Sequence, residues 1–277
     1  TLIGALAGDA LTDADFNVAI GEGALSADTL GSKSIAIGVN ALNEQNFTTS
    51  TNALNVAIGH LAGAAVTTAV QNTLIGALSG DALTQGARHT TLGYLSLTSD
   101  TMGQYAVAIG YNALATQNFT TATNNYNIGI GYAAGEAVTT GFQNTLVGGL
   151  AGDALTDADF NTVLGYAALT SDTLGSSSVA IGRHALLSQN FTTATNTYNT
   201  AVGESAGQAV TTGTDNTFVG GLCGDGTDDG GNNTAMGASA LSANCGSFNT
   251  AMGAAALNVC TGADNTAVGY AAGFQVT

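Results

Sequence analysis

The chain has 277 residues, 45% hydrophobic and only 8% charged, and its 19 acidic against 3 basic side chains leave a formal net charge of −16. That balance repels phosphate backbones and anionic lipid with no Lys/Arg cluster to offset it, so nucleic acid is not an expected partner. The apolar content excludes simple disorder, and 39 glycines without a single proline point to many tight turns between short strands.

From the first residues, Thr1-Leu2-Ile3-Gly4, to Thr266-Ala267-Val268-Gly269, one short apolar stretch closed by glycine keeps returning. The closing glycine falls at 4, 21, 38, 59, 76, 93, 110, 131, 148, 165, 182, 203, 220, 237, 253 and 269, which makes sixteen copies. The spacings run 17, 17, 21, 17 three times over and end 17, 16, 16, so a superperiod of 72 residues overlies the short one. Such unbroken self-similarity predicts an all-β, parallel β-solenoid (β-roll) of sixteen coils. The whole of residues 1–277 reads as a single repeat domain, with superrepeats at about 1–71, 72–143, 144–215 and 216–277. At about 4.8 Å per coil the expected body is a rod roughly 75 Å long. No run of about eighteen apolar residues predicts a membrane span, and no basic-then-apolar start marks a signal peptide.

Counted from the glycine as position zero, −1 is Ile, Val, Leu or Met and −3 is Thr, Val or Ile in every copy, the alternation of a strand. The aliphatic −1 column is expected to form an internal ridge. Position −2 is mostly Ala and never charged, which describes either small residues on an exposed flat sheet or a second face packed on other subunits. On the second reading Ala19, Ala36, Ala57, Ala108, Ala180 and Ala201 would line a homotrimer interface. Position −4 is Asn in most copies, predicting a structural ladder of amides at a turn. Position +1 accepts Tyr, Glu, Arg, His and Gly and is read as solvent-facing. The second half of each coil carries further apolar residues, enough for a second short strand.

All acids lie outside positions −4 to 0, so charge is expected in turns and on the outer half, where the superperiod would keep Asp28, Asp100 and Asp172 from stacking. The third coil of each of the first three superperiods is four residues longer. There Asn46-Phe47, Asn118-Phe119 and Asn190-Phe191 would either project toward a receptor or glycan or fold back over a neighbouring coil. Near the C-terminal end, Asp225, Asp228 and Asp229 on a glycine-rich loop supply hard oxygens that suit Ca²⁺, the one cofactor candidate, or else form a solvated turn. Cys223, Cys245 and Cys260 replace packing residues and are too few for a disulfide framework. His60, His89 and His184 fall in three different columns, and no nucleophile elbow, Cys-x-x-Cys pair or phosphate loop occurs, so no enzymatic activity is expected.

Ser178-Val179-Ala180-Ile181-Gly182, Ser34-Ile35-Ala36-Ile37-Gly38 and Ala106-Val107-Ala108-Ile109-Gly110 resemble the head repeats of trimeric autotransporter adhesins. Asn265-Thr266-Ala267-Val268-Gly269-Tyr270-Ala271-Ala272-Gly273 is similar to repeats found upstream of intramolecular-chaperone domains in phage tail fibres. The resemblance covers essentially the whole chain, although the coils are longer than the adhesin head repeat. It implies parallel β-rolls associated as homotrimers, on a virion tail fibre or an extracellular cell surface, that attach to a glycan or protein receptor without membrane insertion. A different expectation, an ice- or polysaccharide-binding solenoid, comes from the threonine pairs Thr67-Thr68, Thr139-Thr140 and Thr211-Thr212.

Overall fold

The computed structural model describes residues 1–276, which form short strands, turns, bends and irregular connections with no helix among them. One strand precedes each closing glycine, and each runs parallel to its neighbours: the architecture is a β-solenoid of roughly 17-residue turns. The chain groups into two compact units, Thr1–Thr140 and Gly141–Thr277. In the first, the strands run from Leu2–Ile3 and Val18–Ile20 through Val107–Ile109 to Ile128–Ile130. In the second they run from Thr145–Val147 through Val179–Ile181 to Thr266–Val268. Register follows the repeat, as in Val107 opposite Ile128 and Ala108 opposite Gly129, so equal columns stack on equal columns.

Each coil is bent by residues of positive φ at four fixed places. Around Gly110 these are Tyr105 (65°), Gly110 itself (129°), Asn112 (55°) and Leu114 (50°). A left-handed non-glycine costs about 1–2 kcal/mol, and bonds between coils offset it. Asn112 N–H donates back to Tyr94 O at 3.2 Å, and Leu114 N–H donates forward to Ala134 O at 3.0 Å. The closing glycine has no substitute. A Cβ on Gly110 would stand 2.3 Å from the carbonyl oxygen of Gly131 in the next coil.

The interior is narrow. Its floor is position −2, fully buried at Ala19, Ala36, Leu74, Ala108, Leu146, Ala180 and Phe218, and side chains at +4 and +7 fill it from the other walls. These three positions form a cycle over four coils. In the first unit it reads Leu74-Gly80-Leu83, Thr91-Leu97-Asp100, Ala108-Leu114-Gln117 and Gly129-Gly135-Val138; in the second, Leu146-Gly152-Leu155, Val163-Leu169-Asp172, Ala180-Leu186-Gln189 and Ala201-Gly207-Val210. Large residues on one wall face small ones on another: a Cβ on Gly80 would come within 2.8 Å of Leu83 and 3.0 Å of Leu74. The 72-residue superperiod is therefore the repeat length of a side-chain packing pattern, and charge spacing does not set it.

Two further expectations are corrected by this geometry. The −1 column is no internal ridge, because −1 and −3 face outward: Leu92, Leu164 and Met236 are each 48% exposed. Among the described residues a second strand does not form in every coil, but only in each long coil and in the ordinary coil that precedes it. There Gly31–Ser32 pairs with Thr51–Asn52, Gly103–Gln104 with Thr123–Asn124, and Gly175–Ser176 with Thr195–Asn196.

Candidate interaction surface

The six alanines assigned above to a subunit interface, Ala19, Ala36, Ala57, Ala108, Ala180 and Ala201, are fully enclosed within the chain itself and have no surface to offer. What lies open instead is the other side of the same strands. Val18, Ile35, Val56, Val107 and Ile128 at −3, interrupted by Thr73 and Thr90, with Ile20, Ile37, Ile58, Ile109 and Ile130 at −1, give the first unit a partly exposed, mostly aliphatic sheet face without one charge. In the second unit the −3 column is threonine over five consecutive coils, Thr200, Thr217, Thr234, Thr250 and Thr266, beside Val202, Val219, Met236, Met252 and Val268.

The long coils do not project their phenylalanines. Phe47, Phe119 and Phe191 are buried, and Asn46, Asn118 and Asn190 join a hydroxyl column in which each amide oxygen accepts from the previous coil, Asn118 from Thr101 Oγ1 at 3.0 Å. Beneath each lies an acid, Asp28, Asp100 or Asp172, expected from sequence in a turn or on the outer half and found fully buried. Asp100 accepts from Gly103 N–H (3.0 Å), Phe119 N–H (3.1 Å) and Gln117 Nε2 (2.7 Å), while Gln117 Oε1 accepts from Asn127 Nδ2 at 2.8 Å. The same cage recurs at Asp28 with Gln45 and Asn55, and at Asp172 with Gln189 and Asn199. Thus the insertion encodes an internal polar staple. Elsewhere acids pair with hydroxyls of the next coil, as Thr98 bonds Asp81, whose carboxyl is pushed upward by burial.

The threonine pairs fare similarly, since Thr67 Oγ1 donates to Thr84 O at 3.0 Å and the Thr211 hydroxyl bonds Asp228. Asp225, Asp228 and Asp229 do not converge. Asp225 is half-buried, with its carboxyl raised by burial, Asp229 is exposed, and among the described residues no three His, Cys, Asp or Glu side chains gather as a metal would require. The three cysteines are free and buried, and burial pushes the Cys223 thiol up to about 11.

At −4 the expected amide ladder is present. Asn72 Oδ1 accepts from His89 N–H at 2.9 Å, and Asn72 Nδ2 donates to Gly86 O at 2.9 Å. His89 replaces asparagine atom for atom: its Nδ1 accepts from Ala106 N–H at 3.1 Å and its Nε2 faces Gly103 O at 2.8 Å. Those partners require the neutral ring with its proton on Nε2. Burial lowers the His89 pKa, opposed in part by the Asp100 charge and the backbone bonds. A depressed pKa means that the unfolded chain binds the extra proton more readily. His89 therefore contributes its full stability above the unfolded value of about 6.5 and loses it as pH falls below that, by up to about 1.4 kcal/mol per unit. His89→Asn keeps both ladder bonds without titrating. Urea midpoints of the two proteins should diverge from pH 7.5 to pH 5, and parallel curves would contradict the neutral-ring assignment.

Aromatic side chains stack along the outside of the first unit. Tyr94, Tyr111 and Tyr132 stack in the +1 column at 5.8 and 5.6 Å, and in the −5 column Tyr105 and Tyr126 stack at 5.3 Å with the Arg88 guanidinium over Tyr105 at 5.3 Å. Sequence reading treated +1 as merely solvent-facing and did not single out −5, because stacking appears only once coils are superposed. No family model matches the chain, and no curated protein matches it.

Proposed function

We propose that the chain is a structural and adhesive fibre segment of a virion or cell surface, a homotrimer that carries attachment to a host receptor. The observation that supports this is the aliphatic, uncharged sheet face of positions −3 and −1. In a chain of net charge −16, a face free of acids lets copies meet without charge repulsion. The interface so proposed uses Val107, Ile109 and their columns in place of the alanines.

Native mass spectrometry of the wild type and two variants tests it. Ile109→Asp puts a carboxylate on the outer face and should give folded monomers, whereas Ala108→Asp buries one inside the coil and should unfold the chain. A trimer that survives Ile109→Asp places the contact elsewhere. A second reading, an ice- or polysaccharide-binding face, is favoured by the five-rung threonine column, none of whose hydroxyls bonds another protein group. Wild-type monomer showing thermal hysteresis would decide for that reading.

A further inference from the structure

We propose that Gln71, Arg88, Gln104, Tyr105 and Tyr126 form a binding site for a sparsely charged acidic saccharide, one that carries carboxylates along an extended chain. Arg88 is one of three basic residues in the protein. It is exposed, and its partners are amides: Nε donates to Gln71 Oε1 at 3.0 Å and Nη1 to Gln104 Oε1 at 3.4 Å, while the guanidinium lies over the Tyr105 ring. Among the described residues no carboxylate neutralises it, in a chain with 19 acids. The cation is thus held in place by neutral groups and keeps its charge for something outside the chain.

The surrounding groups point the same way. Both glutamines turn their amide oxygen to the guanidinium, which leaves their NH₂ groups to donate, and the hydroxyls of Tyr105 and Tyr126 bond no protein atom. What the site offers is donors along a ladder of successive coils, so its ligand must be rich in acceptor oxygens and carry negative charge. The faces of Tyr105 are covered by Arg88 and Tyr126, and no pocket opens among the described residues. A ligand would therefore lie along the surface, as an extended saccharide does. One cation within a strongly acidic protein suits a carboxylate on occasional sugar residues. A polyphosphate or densely sulfated chain would meet the field of the other acids over a Debye length of about 8 Å.

The inference rests on the attachment reading for its role but not on the trimer. Isothermal titration with a hyaluronan hexasaccharide, which carries a carboxylate on alternate sugars, with sialyllactose and with neutral maltohexaose, alongside native mass spectrometry of each variant, tests the two separately. At least one carboxylated probe should bind saturably and maltohexaose should not. Arg88→Gln should weaken binding at least tenfold and Tyr126→Ala measurably, with oligomeric state unchanged. Lys in place of Arg88 keeps the charge without the planar fork and should recover only part. Binding of neither acidic probe, equal binding of maltohexaose, or full binding by Arg88→Gln would each overturn the assignment, while the assembly reading would stand or fall on the masses.

Discussion

Gly110→Ala is expected to cost at least about 3 kcal/mol and to leave the first unit largely unfolded, although it adds a single methyl group. The backbone term is about 1–3 kcal/mol, because a φ of 129° lies in a region reserved for glycine. The steric term comes on top of it. The new Cβ would stand 2.3 Å from Gly131 O and 2.7 Å from its carbonyl carbon, which are main-chain atoms with no rotamer to yield. Neither coil can step aside, since Gly110 N–H is bonded to Leu92 O and Gly131 N–H to Ile109 O, both at 2.8 Å. Gly221→Ala is the internal control: nothing lies within 4 Å of its added Cβ and its φ is not positive. Urea unfolding should place Gly221→Ala beside the wild type and Gly110→Ala far below it. Equal tolerance at the two positions would contradict the stacked-glycine geometry.

That geometry was legible from the outset because it leaves a one-residue signature. A glycine required by both φ and contact cannot be replaced, and so the coil count, the coil length and the parallel stacking followed from sixteen glycines alone. Which face of the strand points inward was a different matter. Alternation at −3, −2 and −1 distinguishes two faces without orienting them, and the habit of sending Ile inward and Ala outward fails where the interior is too thin for two large walls. Leu114 shows the reason: its Cγ lies 2.8 Å from where a Cβ on Gly129 would be, so the opposite wall already fills the space beneath −2.

The buried acids were misread for a related reason. Asp28, Asp100 and Asp172 occur in Ser-Ala-Asp and Thr-Ser-Asp stretches that look like solvated turns, and each binds donors 17 to 19 residues away in the long coil. A signal did exist: the glutamine and phenylalanine of Gln117-Asn118-Phe119 recur with Asp100 at a constant offset, as Gln45 does with Asp28 and Gln189 with Asp172. Recurrence at fixed distance marked a partner, where composition suggested only a loop. The external ladders left no such mark, because Arg88, Tyr105 and Tyr126 share a column whose other members include Leu54 and Gln71.

Asp100→Ala should therefore destabilise the first unit by about 3–5 kcal/mol, far more than a change in a solvated turn would, whose effect is usually within about 0.5 kcal/mol. The substitution removes the acceptor for three enclosed donors at once, and each orphaned group costs roughly 1–3 kcal/mol where water cannot replace the lost bond. Gln117 cannot recover by turning its amide, because its Oε1 already accepts from Asn127 Nδ2, so the defect would pass into the −4 ladder. Phe119 N–H would lose its acceptor as well, which loosens the buried ring and with it the pairing of Gly103–Gln104 with Thr123–Asn124. Asp100→Asn should fall between the two proteins: one amide oxygen can still take Gly103 and Phe119, while its NH₂ is left facing the Gln117 NH₂. Chemical denaturation gives the size of the loss, and amide hydrogen exchange at Gly103 and Phe119 its location. A loss below about 1 kcal/mol, or unchanged protection at those two amides, would mean that the carboxyl is not the centre of the staple and that the four added residues of the long coil are held by something else.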